Sequence, residues 1–223
     1  MKFEPYSIPN VLRAPDQNKF FTKNLVPGSK VYNEDLIDFE DNEYRFWNPH
    51  RSKLAALLLK KTEQLELAIN NTMLYLGAAA GTTASHLSDI LQNGRIYCVE
   101  FSARPFRDLV KLSEQRPNMI PILANARIPA EYRAVVEGVD WLYQDISQRD
   151  QVEIFIKNME IFLKPAGRGI IMVKSRSIDV NLEPNLIYQT VHRQLESGGF
   201  KVLEMKVLTP FQKDHAAFIV NQR

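Results

Sequence analysis

The sequence of 223 residues has few of the features that mark secreted, membrane or metal-dependent proteins. Its single cysteine, Cys98, excludes an internal disulfide and a cysteine-rich metal site, and it fits a reducing compartment. The longest apolar run, residues 54–59, is too short to cross a membrane. Glu4, Pro5 and Pro9 stand where a signal peptide would need a continuous apolar region. We therefore expect a soluble, cytoplasmic protein that does not associate with membranes.

The chain also has little excess positive charge. The chain has 28 Lys and Arg against 26 Asp and Glu, a formal net charge of +2. A protein that holds nucleic acid alone over a wide surface has a larger basic excess, so any RNA contact is expected to be local or shared with partners. There is no internal repeat and no low-complexity tract. With 45% hydrophobic residues, the chain can bury a full core.

Residues 1–47 and 48–223 have different patterns, which predicts two domains. The first is rich in Pro, Asn, Asp and aromatic residues, and turn signals separate short alternating pieces. These pieces lie at residues 20–21, 29–32 and 44–47. We predict a small antiparallel β appendage there. Leucines at mostly helical spacing over residues 49–69 predict a helix that leads into the second domain.

From residue 72 onward, apolar strand-like runs alternate with helical patterns, one of them a helix predicted over residues 129–135. This alternation predicts an α/β fold with a doubly wound, mostly parallel seven-stranded sheet. The last two runs, residues 201–208 and 215–220, are too close in sequence for a parallel crossover and must pair antiparallel. The layout is that of Rossmann-like class I methyltransferases, which bind ligands at the carboxyl ends of the strands.

The most informative stretch is MLYLGAAAGTTASH at residues 73–86. An apolar run breaks at Gly77 and Gly81, and a helix then opens on threonines, so backbone N–H groups face a potential ligand. The next run ends about twenty residues later in Glu100, where a nucleotide-type ribose would be bound. Small residues at such a turn can equally serve only to pack the helix against the sheet. The G-x-x-x-G spacing favours S-adenosylmethionine over a dinucleotide.

Four polar residues fall at the ends of predicted elements. Asp145 and Lys174 close two strands, Lys53 lies near the start of the leading helix, and His215 begins the last strand. Each has an ordinary explanation taken alone: a helix cap for Asp145, a solvated amine for either lysine, turn chemistry for His215. Together they describe a site that could activate a hydroxyl group beside the cofactor.

Several segments, in chain order, resemble the fibrillarin family. They are NPHRSKLAA at 48–56, YLGAAAGTT at 75–83 with Ser85 and His86, VEFS at 99–102, ILANAR at 122–127, QDISQ at 144–148 and KDHA at 213–216. With KNLVPG at 23–28, the resemblance spans nearly the whole chain. It implies an S-adenosylmethionine-dependent RNA 2′-O-methyltransferase that needs no metal and acts on rRNA and tRNA as the catalytic subunit of a box C/D guide ribonucleoprotein.

The resemblance also implies partners and site residues. The partners would be a box C/D guide RNA with its target RNA, a Nop-type scaffold protein and a kink-turn-binding, ribosomal-like protein. The catalytic set would be Lys53, Asp145, Lys174 and His215. The cofactor contacts would be Gly77, Ala79, Gly81, Thr82, Thr83, Glu100, Phe101, Asn125, Ala126, Asp145, Ile146, Ser147 and Gln148. The Gly/Arg-rich tail of eukaryotic members is absent, which indicates an archaeal-type protein; a eukaryotic source would instead imply the nucleolus.

Two positions depart from the family pattern. The family usually has Asp where Asn125 stands, and an acidic residue where Ala124 stands. The amide oxygen of Asn125 can still accept a hydrogen bond from an adenine amino group, without the strength that a negative charge adds. A non-catalytic assembly subunit and a dinucleotide-dependent oxidoreductase remain the alternatives; the intact Lys-Asp-Lys-His set argues against the first and the glycine spacing against the second.

In the expected reaction, Lys174 takes the proton of the ribose hydroxyl, Asp145 attracts the sulfonium, and His215 orients the ribose. A lysine amine with an ordinary pKa near ~10.4 is protonated at neutral pH and cannot act as a base. The hypothesis therefore requires the surroundings of Lys174 to make it less basic.

Overall fold

The computed structural model describes residues 2–223, and its strands form two separate sheets. The first sheet contains β1 Glu4–Pro5, β2 Val11–Ala14, β3 Lys19–Lys23, β4 Leu36–Phe39 and β5 Asn42–Phe46. All its pairs are antiparallel, in the spatial order β1-β2-β3-β5-β4. The predicted β appendage is therefore confirmed.

The second sheet has seven strands. They are β6 Thr72–Leu76, β7 Arg95–Glu100, β8 Met119–Leu123, β9 Val139–Gln144, β10 Leu163–Lys174, β11 Phe200–Val207 and β12 His215–Gln222. Their spatial order is β11-β12-β10-β9-β6-β7-β8, and only β12 runs against its neighbours. This confirms the doubly wound, mostly parallel sheet with an antiparallel hairpin at its end.

Helices cover both faces of the second sheet. They are α1 Lys53–Leu59, α2 Thr82–Ile90, α3 Ala103–Ser113, α4 Gln151–Phe162, α5 Ser175–Ile178 and α6 Pro184–Ser197. Met73 and Tyr75 of β6 pack in one core cluster with α1 and α2, while Leu74 and Leu76 pack in another with α4 and α6. A strand buried on both faces reads as a continuous apolar run, because side chains alternate between the faces. No helix within residues 2–223 is long and apolar enough to cross a membrane.

The strand order reverses at β6, which lies between β7 and β9. Leu76 of β6 aligns with Val99 on one side and with Gln144 on the other. The loops that follow these three strands therefore leave the sheet at one edge. In doubly wound sheets this is the position at which ligands bind.

The helix predicted over residues 49–69 is wrong beyond its first half. α1 ends at Leu59, and Lys61 has a positive φ of 56°, which no right-handed helix contains. Leu65 and Leu67 are buried at 6% and 4% exposure in an irregular segment. Their spacing of two residues is typical of extended backbone. The predicted helix is too long because it includes these two leucines with the helically spaced ones.

Two other predicted elements are also absent from the structure of residues 2–223. Residues 129–135 form one 3-10 turn and further turns, because buried Tyr132 bonds through its hydroxyl to Asn158 and fixes the segment. Residues 29–32 are not a strand. The Glu34 carboxylate accepts the backbone N–H groups of Val31 and Tyr32, at 3.0 and 2.8 Å, in place of a neighbouring strand.

The first sheet and helix α2 share a buried polar interface. The His86 ring nitrogens of α2 lie 2.7 Å from the hydroxyls of Thr22 and Tyr32, and the ring stacks on Trp47 at 5.2 Å. Asp89 of the same helix is fully buried and contacts Thr22 and Arg45 of the first sheet, together with Arg116. α2 is thereby fixed to the first sheet as well as to the second.

Candidate active site

A cavity of about 260 Å³ opens at the sheet edge where β6, β7 and β9 end. Ten of the thirteen sequence-predicted cofactor residues line it. They are Gly77, Ala79, Glu100, Phe101, Asn125, Ala126, Asp145, Ile146, Ser147 and Gln148. Sequence reasoning did not select Val99, Ser102, Ala124, Arg127 and Ile154 as ligand contacts, and they line it too. The contributing loops are far apart in the chain and meet only because the parallel strands end together.

Glu100 is held rigidly at one wall of the cavity. One carboxylate oxygen accepts the N–H of Ala79 at 2.9 Å and the other accepts the N–H of Ser102 at 2.7 Å. The side chain is close to fully buried, and Ala79 adopts a positive φ of 49° to present its N–H. Each carboxylate oxygen keeps a free acceptor position. Glu100 can therefore accept hydrogen bonds from the vicinal hydroxyls of a ribose in the cavity.

The two glycines of the turn have different roles. Gly77 has φ +84°, and a Cβ there would stand 2.5 Å from the carbonyl oxygen of Asp145, so only glycine allows the two loops to approach. Gly81 has φ +90° and precedes α2, and a Cβ there would stand 2.4 Å from Leu112 of α3. Gly81 does not line the cavity. Close packing of the helices explains Gly81, and its assignment as a cofactor contact stays a prediction.

Thr82 and Thr83 also lie outside the cavity lining. The Thr83 hydroxyl donates to the Ser52 hydroxyl at 3.0 Å, and Ser52 in turn caps α1 by accepting the N–H of Ala55 at 3.4 Å. Thr83 thus supports the start of the helix whose first residue is Lys53. Sequence reasoning missed Ser52 as a positioning residue, although a serine directly before a helical run is a recognisable cap.

The expected adenine side is formed by Phe101 and Asn125. Phe101 is 70% exposed, so its ring face is available at the cavity rim. Asn125 donates its backbone N–H to Glu131 at 3.0 Å, and its amide oxygen accepts the N–H of Arg127 at 3.0 Å. One lone pair of that oxygen is therefore occupied within the loop, and the second is free for a ligand.

The structure brings the four predicted catalytic residues to the same sheet edge. The Lys53 ammonium pairs with both carboxylate oxygens of Asp145, at 2.9 and 3.0 Å, and the two side chains are only 20% and 16% exposed. Lys174 ends β10 directly opposite His215 of β12 in the antiparallel register. Lys174 is half-buried. The arrangement places two amines, a carboxylate and an imidazole beside the cavity.

His215 is held in one tautomer. Its Nδ1 donates to the Lys213 carbonyl at 2.6 Å, which leaves Nε2 as a hydrogen-bond acceptor in the neutral ring. Burial lowers the pKa of His215, and the positive charges of Lys53 and Lys174 act in the same direction, against the Lys213 carbonyl and Asp145. The imidazole is therefore neutral at neutral pH. It can accept a hydrogen bond from a hydroxyl group, or a proton.

Buried aromatic hydroxyls lie beneath this edge. The rings of Tyr75 and Tyr143 meet edge to face at 4.6 Å between centroids. Burial, with a smaller contribution from Asp145, raises the pKa of Tyr75 well above its usual range. Burial likewise raises the pKa of Tyr143 well above its usual range, so both phenols are protonated at neutral pH. The two tyrosines therefore add no charge near Asp145.

Comparison with known proteins identifies the family. The Fibrillarin family model matches residues 6–223. The chain is 47% identical over 226 residues to the fibrillarin-like rRNA/tRNA 2′-O-methyltransferase of Thermococcus onnurineus, covering all of both chains. It superposes with a TM-score of 0.87 on Aeropyrum pernix fibrillarin in complex with natively bound S-adenosyl-L-methionine, at 42% identity over 99% of this chain and 98% of that one. It superposes with a TM-score of 0.88 on fibrillarin from a fibrillarin/Nop5p complex, at 42% identity over 96% and 98% of the two chains. The chain belongs to the fibrillarin family.

Proposed function

We propose that this chain is an S-adenosylmethionine-dependent methyltransferase that modifies the ribose 2′-hydroxyl of rRNA and tRNA. The observation that carries the proposal is the Lys53–Asp145 ion pair, with Lys174 and His215 beside it, at the open edge of a cavity whose wall holds the fixed carboxylate of Glu100. The Thermococcus onnurineus relative bears this activity in its name, and the Aeropyrum pernix fibrillarin was solved with this cofactor bound.

The cavity residues fit the cofactor. Glu100 suits the ribose hydroxyls, the exposed ring of Phe101 suits the adenine face, and the backbone of the loop after β9 lies against Gly77, where the cofactor's charged end would reach. When bound, S-adenosylmethionine supplies a methyl group on a positively charged sulfur. The carboxylate of Asp145 provides the nearby negative charge, and Lys53 fixes its orientation.

The remaining requirement is to position and deprotonate the ribose hydroxyl. Lys174 would take the proton, and His215, with its free Nε2 lone pair, would accept a hydrogen bond and orient the ribose. Positioning supplies several kcal/mol of barrier lowering, and a general base contributes roughly 10²–10⁴-fold in rate. The proposed reaction uses only these side chains and the cofactor. Within residues 2–223 there is no group of three or more His, Cys, Asp or Glu side chains that could hold a metal ion.

A Nop-type scaffold is part of the proposal, since a relative at 42% identity was solved in complex with Nop5p. The formal charge of only +2 supports dependence on partners for RNA binding. We extend the assembly to a box C/D guide RNA with its target and to a kink-turn-binding protein, acting in the cytoplasm. The isolated chain should then methylate RNA poorly, and reconstitution with these partners should restore site-specific methylation. Efficient, site-specific methylation by the isolated chain would refute this dependence.

Isothermal titration of the purified chain tests the cofactor directly. We expect S-adenosylmethionine to bind without nucleic acid, and NAD to produce no heat at the same concentration. Glu100→Gln should weaken binding, because the amide removes the charge and presents a donor to the ribose hydroxyls. The absence of both heat and a thermal shift at millimolar S-adenosylmethionine would overturn the proposed function.

A further inference from the structure

An arginine joins the two loops that face each other across the cofactor cavity. The Arg127 guanidinium donates through Nε to one carboxylate oxygen of Asp150 at 2.7 Å, and through Nη2 to the other at 2.6 Å. The same Nη2 donates to the amide oxygen of Gln148 at 3.1 Å. Arg127 lies in the loop after β8 and Asp150 in the loop after β9. Arg127 and Gln148 line the cavity, so this contact spans its mouth, whereas Asp150 does not line it.

The position of Asp150 shows that its side chain is diverted to this contact. Asp150 precedes the first residue of α4, where an aspartate usually accepts an N–H of the first helical turn. Its side chain makes no such cap bond, and both of its oxygens are taken by the forked guanidinium. The hydrogen bond from Arg127 lowers the pKa of Asp150, so the carboxylate stays charged. The Asp150 side chain therefore does not cap α4, and it connects the two loops by a bidentate ion pair instead.

The backbone of Arg127 is held as firmly as its side chain. Its N–H donates to the amide oxygen of Asn125 at 3.0 Å, and its carbonyl accepts the ammonium of Lys157 at 3.1 Å. The base of the loop is anchored separately, because the Ala126 carbonyl accepts the amide of Asn158 at 2.9 Å. Loss of the guanidinium would therefore disconnect the two loops at the rim of the cavity and leave the fold intact.

We propose that Arg127 and Asp150 form a strap that holds two loops, residues 124–128 after β8 and residues 145–150 after β9, at the separation S-adenosylmethionine requires. Arg127 and Asp150 are positioning residues in this account. The inference rests on the proposed function, because it assumes that this cavity takes that cofactor. The side chains are 44% and 35% exposed, so the strap can open to solvent and admit the ligand.

A double-mutant cycle tests the strap through cofactor binding. Arg127→Gln and Asp150→Asn should each weaken S-adenosylmethionine binding about fivefold, the equivalent of an exposed ion pair of about 1 kcal/mol. The double variant should bind no more weakly than Arg127→Gln alone, because Arg127→Gln already removes the contact that Asp150→Asn removes. Asp150→Asn is the decisive variant, since Asp150 does not line the cavity and both of its side-chain oxygens bond to Arg127.

Arg95→Gln is the matched control. Arg95 pairs with Glu137 at 3.0 Å, with side-chain exposures of 51% and 56%, at the opposite end of β7 from Glu100. Arg95→Gln removes a comparable surface ion pair and should leave cofactor affinity unchanged. Amide hydrogen exchange without cofactor provides a second measurement, in which residues 125–128 and 146–150 should exchange faster in Arg127→Gln than in Arg95→Gln.

The possible results separate the strap from the proposed function. If the unmodified chain binds S-adenosylmethionine but Asp150→Asn binds within twofold of it, the strap is refuted and the function stands. Additive losses in the double variant would also refute the strap, because Arg127 would then contact the ligand independently. If the unmodified chain does not bind the cofactor at all, both the function and the inference are overturned.

Discussion

Asp89→Asn should strongly destabilise the protein, because Asp89 is the centre of the buried interface between the first sheet and α2. One carboxylate oxygen accepts Arg116 at 2.6 Å and the N–H of Leu25 at 3.0 Å. The other accepts the Thr22 hydroxyl at 2.7 Å and lies 3.2 Å from Nε of Arg45. The side chains of Asp89 and both arginines are at most 1% exposed. The substitution keeps the shape of the side chain and removes its charge.

The size of the effect follows from the two arginines. Arg45 would keep one ion-pair partner, Glu34, at 3.3 Å, while Arg116 would lose the carboxylate on which its ion pair depends. Removing one partner of a buried ion pair costs about 3–5 kcal/mol, because it leaves the other charge buried without compensation. Each kcal/mol lowers Tm by roughly 2–4 °C in a protein of this size. The expected decrease in Tm is therefore roughly 6–20 °C.

Differential scanning calorimetry of three proteins decides the matter: the unmodified chain, Asp89→Asn and the control Glu137→Gln. Glu137 pairs with Arg95 at the surface, and such a pair contributes less than about 1 kcal/mol. The control should therefore shift Tm by no more than about 4 °C. A similar small shift for Asp89→Asn would refute the reasoning, because the buried network would then contribute no more than a surface ion pair.

Variants at three further positions test separate parts of the account. Burial, followed by the charges of Arg45 and Arg116, lowers the pKa of His86 well below 6.5, so an unfolded chain binds a proton at this site that the folded chain does not. The contribution of His86 to the free energy of unfolding should be fully present above about pH 6.5. Below that pH, the free energy of unfolding should decrease by up to about 1.4 kcal/mol per pH unit. In urea denaturation, His86→Gln should make the dependence of stability on pH between pH 6.5 and 5 less steep, and the lowered pKa of His215 should account for part of what remains. Equal slopes for His86→Gln and the unmodified chain would contradict this prediction. Asn125→Asp should tighten S-adenosylmethionine binding in a titration, because a charged acceptor bonds an amino group more strongly; unchanged affinity would mean that Asn125 is not at the adenine edge. Lys174→Ala and Lys174→Arg should both abolish single-turnover methylation and leave cofactor binding nearly intact. The arginine variant should be inactive because a guanidinium keeps the charge but cannot accept a proton. Near-normal rates for Lys174→Arg would mean that Lys174 acts as an electrostatic positioning residue and not as the base.

The sequence predicts the fold well where periodicity and local signals agree. The alternation after residue 72 and the short connection before His215 define the parallel sheet and its antiparallel end. The errors occur where tertiary contacts override local pattern. Residues 129–135 are fixed by the hydroxyl of buried Tyr132, and the extended spacing of Leu65 and Leu67 lengthened a predicted helix that ends at Leu59.

The candidate site shows the same division. Strand ends and glycines identify most of the cavity lining, because topology alone brings strand ends together. The Arg127–Asp150 contact carries no such signal, since two exposed charges 23 residues apart in sequence have no period or spacing that indicates a pair. The Thr83–Ser52 hydrogen bond also has no signal in the sequence. The Ser52 cap before α1 can be predicted from its neighbours, but the bond that it accepts from Thr83 of α2 joins residues 31 positions apart.

The central claim, transfer of a methyl group to a ribose 2′-oxygen, is tested most directly with a target RNA that lacks only that oxygen. The chain is assembled with a Nop-type scaffold protein, a kink-turn-binding protein and a guide RNA, and supplied with labelled S-adenosylmethionine. A target with ribose at the guided nucleotide should receive the label at its 2′-oxygen, and a target with 2′-deoxyribose at that one position should receive none. Equal labelling of the two targets, or a label on the base, would contradict the account.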